Sequence, residues 1–172
     1  MTKPDAPLPA SLGQQVAVKS VDTVLLREGD EQFFAYTQLL DWAEIATDDL
    51  RAAPVVVQEV LSPKLDLRVT VLAGRAWTVA VTSNGAAIEG DWRLKKKAQL
   101  AYPAYVLPAD VEARCIDLVK AMGLIYGAID LALVGDRFVF IEINPTGEWG
   151  WLDSPERPLA EAIASVLLSD PS

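Results

Sequence analysis

Residues 128–145 read AIDLALVGDRFVFIEINP, and this stretch decides the fold. Aliphatic side chains occupy every second position on both sides of Gly135-Asp136, which is the pattern of two antiparallel strands joined by a tight turn. Side chains alternate between the faces of a strand, so one face is expected to pack on a hydrophobic core. The residues on that predicted face are Ile129, Leu131, Leu133, Val139, Ile141 and Ile143.

The other face of this predicted hairpin carries two acidic residues. The turn brings Asp130 and Glu142 nearly opposite each other, where cross-strand β-carbons lie about 5 Å apart and like charges repel. Mg²⁺ prefers oxygen ligands, and Asn144 adds a neutral oxygen on the same face. The pattern therefore predicts a metal site formed by these three residues. The alternative is two solvated carboxylates, and it weakens if Phe138 and Phe140 cover this face, as strict alternation predicts.

Composition excludes several functional classes. The chain has 172 residues, 15 Lys plus Arg, 24 Asp plus Glu and a formal charge of -9, which argues against general nucleic-acid binding. It contains no histidine, so His-based triads and His metal sites are excluded. A single cysteine allows no internal disulfide. Residues 1–10 lack an apolar signal core and no later run reaches membrane-spanning length, so we expect a cytoplasmic protein without a membrane partner.

The remaining sequence predicts an α+β fold with antiparallel sheets. Strands are predicted at residues 16–19, 23–26, 33–37, 55–60, 66–72 and 77–82. Helices are predicted at residues 42–50 with Asp41 as the cap, at 109–122 and at 159–168, and residues 83–105 have the composition of a loop. In the second helix, Val111, Cys115, Leu118, Val119 and Met122 form one apolar stripe, so Cys115 is expected to be a packing residue.

Two motifs point to a known family. Asp130 with Glu142-Ile143-Asn144-Pro145 resembles the metal-binding signature of the ATP-grasp superfamily. Residues 123–130 (GLIYGAID) and 140–149 (FIEINPTGEW) are together similar to the microviridin-type peptide ligases, or graspetide synthetases, which are related to RimK-type glutamate ligases. The combination of these elements is more specific than Glu-Ile-Asn-Pro alone.

The resemblance extends over residues 15–168 and corresponds to the C-terminal portion of a complete ligase. It implies an incomplete ATP-grasp domain in which antiparallel β-sheets pack with helices. Residues 1–13 would form a flexible lead-in, residues 14–61 a partial central lobe and residues 62–172 the C-terminal lobe with the metal site. A companion subunit or a further domain would supply the missing portion, and a homodimer stays open.

Two arginines are candidates for contact with the reacting phosphoryl group. Arg68 lies on the polar face of a predicted strand, and the planar guanidinium can hold a phosphate. The alternative is an Asp66–Arg68 surface pair of little energetic value. The resemblance favours the phosphate contact for Arg68 and implies the same role for Arg93.

The resemblance also implies residues for nucleotide binding. Gln58, Glu59, Val60 and Leu61 match the adenine-binding linker of the family, although by composition they are simply the end of a strand. Lys19 matches a lysine that contacts the nucleotide phosphates, although a single lysine is usually solvated. Asp22, soon after it, would repel phosphate and departs from the glycine-bearing loop of the family.

The implied activity is an ATP- and Mg²⁺-dependent ligation of a peptide carboxylate to an amine or hydroxyl through an acyl phosphate. The substrate would be a peptide, including an acidic precursor peptide that could dock on the basic run at Arg93 and residues 95–97. The alternative for this run is a solvated loop. The alternative for the whole chain is a truncated or degenerate module that binds a peptide or a partner protein without catalysis.

Overall fold

The computed structural model describes residues 14–21, 25–28, 31–34, 36–45 and 54–169. Within these residues the chain forms ten β-strands and two α-helices, which confirms the α+β class. The fold divides into two compact units. One contains the described residues up to Ser62 together with 89–96, and the other contains 63–88 and the described residues from Lys97 onward.

The first unit contains a three-stranded antiparallel sheet. Its order is β4-β1-β5, and β2 and β3 form a separate two-stranded antiparallel sheet. The bounds are Gln15–Ser20 for β1, Leu25–Glu28 for β2, Glu31–Phe34 for β3, Gln38–Asp41 for β4 and Val55–Glu59 for β5.

Three local predictions in this unit can be compared with the structure. The strands predicted at residues 16–19 and 55–60 are confirmed, whereas β4 was not predicted. The Asp41 carboxylate caps a single 3-10 turn, Trp42–Glu44, by accepting the backbone N–H of Ala43 at 3.0 Å. The remainder of the predicted helix, residues 46–50, lies outside the described residues.

The second unit contains a five-stranded antiparallel sheet with the order β10-β9-β6-β7-β8. The bounds are Leu65–Leu72 for β6, Arg75–Ser83 for β7, Leu100–Ala101 for β8, Tyr126–Val134 for β9 and Arg137–Asn144 for β10. The central strand β6 is joined to β7 by a tight turn but pairs on its other side with β9, about 60 residues later in the chain.

The helix α1, Ala109–Ala121, covers one face of this sheet. Apolar residues of β6 and β9 pack against the helix residues Cys115 and Val119. The buried members of this cluster are Leu67, Val69, Val71, Ala80, Leu107, Cys115, Val119, Ile129 and Leu131. Burial raises the pKa of the Cys115 thiol, with Glu112 adding to the effect, so the structure confirms a packing role. Met122, predicted on the same stripe, is instead 50% exposed because the helix ends there.

The opposite face of the sheet carries a second hydrophobic cluster, which includes the start of helix α2, Leu159–Leu168. Val79 of β7 packs there with Leu152 and Leu159. The partly buried aromatic residues around them are Trp77, Tyr102, Trp149 and Trp151. Among the described residues, neither helix is long and apolar enough to span a lipid bilayer.

A β-bulge interrupts the hairpin of β9 and β10. Before it, Phe138 pairs with Leu133 and Phe140 pairs with Leu131; after it, Glu142 pairs with Asp130. Cross-strand partners share a face, so Phe138 lies on the core face and packs against the cluster under α1. The expectation that Phe138 and Phe140 cover the acidic face is therefore wrong, because strict alternation fails at the bulge.

Gly127 provides a test of the packing between α1 and the sheet. A β-carbon at this position would lie 2.8 Å from Val119 Cγ2 and 3.0 Å from Ile143 Cδ1. We expect Gly127→Ala to lower the free energy of unfolding by about 1–3 kcal/mol because the core is already filled. Gly150→Ala is the matched control, since nothing lies within 4 Å of its added methyl group. Equal urea midpoints for the two variants would contradict this packing.

Candidate functional site

Three charged side chains form a row across three adjacent strands of the second unit. Arg68 of β6 pairs in register with Asp130 of β9, and Asp130 pairs with Glu142 of β10. Cross-strand partners point to the same face of a sheet, so all three side chains lie on the face away from α1. The predicted opposition of Asp130 and Glu142 is confirmed by this register.

Arg68 is nearly buried and lies between a carboxylate and an aromatic ring. Its Nε lies 3.1 Å from Asp130 Oδ1, and the two side chains are only 10% and 15% exposed. The distance makes this an ion pair, although the Nε–H is not aligned for a hydrogen bond with any acceptor in the described chain. The guanidinium carbon also lies 5.7 Å from the centre of the Trp151 ring. The positive group expected beside the acidic pair is therefore Arg68.

Asp66, the nearest acidic residue in sequence, has its own partner. Its carboxylate accepts a hydrogen bond from the Lys64 ammonium, and both side chains are 15% exposed. Arg68 is thus paired with a carboxylate on a neighbouring strand, in a less solvated setting than a surface pair. The low value expected of an exposed ion pair does not apply to it.

Asn144 ends β10, two residues after Glu142. Its carboxamide oxygen accepts the backbone N–H of Thr146 at 2.9 Å and the Thr146 hydroxyl at 3.2 Å. Asn144 itself is exposed. The side-chain oxygen is therefore held in a tight turn directly beyond the acidic row, and it would have to exchange one of these contacts to bind a metal ion.

The donor set of this row fits Mg²⁺. Asp130, Glu142 and Asn144 offer two carboxylates and one amide oxygen, all of the hard type that Mg²⁺ selects. Within the described residues there is no cluster of three or more Asp, Glu, His or Cys side chains placed to hold a metal. An ion at this row would therefore need further oxygen ligands from water or a substrate, as Mg²⁺ commonly does.

Arg93 lies in the first unit, in the 3-10 turn Trp92–Leu94. Asp91 caps this turn: its Oδ1 accepts the Arg93 backbone N–H at 3.0 Å and its Oδ2 accepts that of Thr37 at 3.2 Å. The Arg93 side chain is 42% exposed and its Nη1 lies 3.6 Å from Asp91 Oδ2. Its backbone is thus fixed while its guanidinium is accessible.

The residues expected to bind the nucleotide lie on β1 and at the end of β5. Ala17 pairs with Gln58, and Lys19 pairs with Val56, so Lys19 and Gln58 share one face of the three-stranded sheet. Glu59 points to the other face because it pairs with Val16. Val60 and Leu61 follow the end of β5. The structure brings Lys19 and Gln58 together and directs Glu59 away from them.

Comparison with solved structures shows which fold this arrangement belongs to. The chain is similar to a RiPP-associated ATP-grasp ligase from Chryseobacterium gregarium, solved with ADP and a leader and core peptide, with 27% identity and a TM-score of 0.77 over 89% of this chain and 48% of that one. It is also similar to the macrocyclase MdnC from Microcystis aeruginosa, solved with its precursor peptide MdnA, with 29% identity and a TM-score of 0.70 over 90% and 49%.

The described chain has a partial ATP-grasp fold. D-alanine–D-alanine ligase from Bacillus anthracis shares this fold at 13% identity and a TM-score of 0.55, over 91% of this chain and 50% of that one. The chain thus spans about half the length of the ligases that it resembles. No protein-family model and no curated protein sequence matches the chain. The expected ATP-grasp resemblance and fold class are confirmed.

A cavity of about 590 Å³ adjoins the turn that follows Asn144 in this partial ATP-grasp fold. Tyr126 and residues 146–149 form one wall, and apolar side chains of α2 form another. Ile125 and Leu167 at this cavity are 63% and 79% exposed. Neither this cavity nor the contact of Trp151 with Arg68 could be predicted from the sequence, because neither has a short-range motif.

The Arg68–Asp130 pair can be tested by its stability. We expect Asp130→Asn to lower the free energy of unfolding by about 1–3 kcal/mol, because losing the counter-charge of a nearly buried guanidinium outweighs the relieved repulsion with Glu142. Asp110→Asn is the matched control, since it removes an exposed pair with Arg114 at 3.0 Å worth about 0.5 kcal/mol. Urea titrations of both variants without divalent ions measure the difference. A cost for Asp130→Asn no larger than that of the control would contradict the burial argument.

Proposed function

We propose that this chain is the nucleotide- and metal-binding portion of an ATP- and Mg²⁺-dependent peptide ligase of the graspetide or RimK-like type. The row of Arg68, Asp130 and Glu142 on three adjacent strands carries the proposal. Similarity at 27–29% identity to ligases solved with ADP or with precursor peptides supports it. The substrate would be a peptide of RiPP maturation, and an acidic precursor peptide would suit the basic run at residues 95–97.

The row would hold Mg²⁺ through Asp130, Glu142 and Asn144. A bound ion would neutralise charge on the phosphate oxygens and offset the repulsion between the two carboxylates. Arg68 would remain close enough to the row to stabilise the transferring phosphoryl group. Arg93, exposed and fixed through its backbone, would supply a second guanidinium to the same group.

Residues of the first unit would contact the nucleotide. Lys19 would contact its phosphates, and Gln58, Glu59, Val60 and Leu61 would contact the adenine through the end of β5. Lys19 and Gln58 share a sheet face, which supports this assignment. The Glu59 side chain points to the sheet face opposite to Gln58. Glu59 would therefore contact the adenine either through its backbone or from that opposite face.

The reaction needs no side-chain nucleophile, in agreement with the absence of histidine. A peptide carboxylate attacks the γ-phosphorus of ATP, and ADP leaves as an acyl phosphate forms. An amine or hydroxyl of the peptide then attacks the acyl carbon, loses its proton and displaces inorganic phosphate. The product is an amide or an ester. We propose the cytoplasm as the location, where ATP and Mg²⁺ are available.

Calorimetry of ADP binding to the full chain, with and without Mg²⁺, tests this proposal. We expect binding that strengthens with Mg²⁺, and a more than tenfold loss of that Mg²⁺-dependent affinity in Asp130→Asn and in Glu142→Gln, because each removes a direct ligand. Asp136→Asn at the exposed hairpin turn is the control and should bind normally. ADP binding that is absent, or indifferent to Mg²⁺ in the unsubstituted chain, would overturn the proposal.

A second candidate is a non-catalytic module that binds a peptide or a partner protein. The exposed apolar cavity beside the residue 144–147 turn favours it. Under this alternative, a synthetic peptide rich in Asp, Glu and Lys would bind equally to the parent chain and to Glu142→Gln, and Leu167→Glu would abolish binding.

The matched control for the cavity is Val106→Glu, which adds the same charge at a 91% exposed aliphatic residue that does not line the cavity. Fluorescence anisotropy of the labelled peptide provides the measurement. Peptide binding that requires Mg²⁺ and Glu142 would favour the ligase over the module.

A further inference from the structure

The turn of residues 144–147, which follows β10, is held by two contacts against the face of β9 that carries Asp130. The hydroxyl of Tyr126 donates to the carbonyl oxygen of Gly147 at 2.6 Å. Gly147 also packs so closely that a β-carbon there would lie 2.6 Å from the Ala128 β-carbon. Tyr126, Ala128 and Asp130 alternate onto the same face of β9. The turn therefore lies flat against the strand that supplies Asp130.

The same turn fixes the side chain of Asn144. The backbone N–H of Gly147 donates to the Asn144 carbonyl oxygen at 3.3 Å, and the N–H of Thr146 donates to the Asn144 carboxamide oxygen at 2.9 Å. Both ends of the residue 144–147 turn are thus held by hydrogen bonds. The Asn144 end is held by hydrogen bonds within the turn, and the Gly147 end is held by the Tyr126 hydroxyl. A carboxamide held in this way retains little rotational freedom.

The phenol of Tyr126 is partly buried and lies near the positive charge of Arg68. Burial raises the pKa of its phenol, and the nearby positive charge of Arg68 acts in the opposite direction. The hydroxyl therefore stays protonated at neutral pH and is able to donate to Gly147. Its ring lies on the same sheet face as the Arg68–Asp130 pair.

We propose that Tyr126 is a positioning residue, whose hydrogen bond to Gly147 holds the residue 144–147 turn so that Asn144 is oriented as an oxygen ligand beside Glu142. The inference rests on the proposed function for its metal part. Groups that support a metal ligand commonly change metal affinity by 10–100-fold when removed, although they never touch the ion. Tyr126→Phe removes only the hydroxyl and leaves the ring in place.

The first arm of the test needs no ligand. Amide hydrogen exchange by NMR, on the full chain, should show faster exchange at Thr146 and Gly147 in Tyr126→Phe, by about tenfold, since these N–H groups bond within the turn. Tyr105→Phe is the matched control, because Tyr105 packs on the α1 side of the sheet beside Phe138. Unchanged exchange at both amides in Tyr126→Phe would overturn the inference.

The second arm measures metal binding by calorimetry with ADP. Tyr126→Phe should weaken the Mg²⁺-dependent affinity by about 3–30-fold and leave metal-free ADP binding unchanged, while Tyr105→Phe changes neither. In an Asn144→Ala background, Tyr126→Phe should add nothing, because coupled residues are non-additive. A purely structural role predicts equal losses in both backgrounds, and that result would overturn the inference.

The two arms separate failure of this inference from failure of the proposed function. Absence of Mg²⁺-dependent binding in the parent chain overturns the proposed function and the metal-orienting role together. The exchange arm still shows whether Tyr126 holds the turn. Faster exchange with unchanged Mg²⁺-dependent affinity overturns the positioning role alone.

Discussion

Two carboxylates that face each other across β9 and β10 are the constraint on which the candidate site depends. Like charges that face each other across two strands destabilise a sheet. Here Asp130 and Glu142 share a face with the nearly buried guanidinium of Arg68. A divalent cation bound at this row would reduce the repulsion between the two carboxylates. A local arrangement that costs stability in the free protein is typical of functional sites.

The opposition of these carboxylates depends on one extra residue in β10. The register shifts between Phe140 and Glu142, so that Ile141 is an extra residue of β10 in this position of the ladder. Without that bulge, Asp130 would face Ile141, and Glu142 would point to the core. Bulges occur often beside active sites because they redirect a side chain without breaking the sheet. The expected facing of the two carboxylates is observed, but the turn at Gly135-Asp136 produces it only together with the bulge, which also puts Phe138 on the face opposite to Glu142.

The parts of the fold that follow from local patterns were predictable. Strands β6, β7, β9 and β10 and both helices have clear periodicity and turn residues, and the structure confirms them within a few residues. The pairing of β6 with β9 has no such signal, because about 60 residues separate the strands and only tertiary packing sets their register. Arg68 and Asp130 could therefore each be named as site residues from the sequence, but their pairing across β6 and β9 could not be predicted. The contact with Trp151 is hidden for the same reason.

The distribution of the candidate residues over two units has a physical consequence. The acidic row, Arg68 and the turn at Asn144 all belong to the second unit, so their mutual geometry is set by one sheet and its core. Arg93, Lys19 and Gln58 belong to the first unit. Under the proposed function, a bare divalent ion would bind within the second unit. A perturbation of the first unit would act on Lys19, Gln58 and Arg93, whereas the sheet of the second unit would keep Arg68, Asp130 and Glu142 in register.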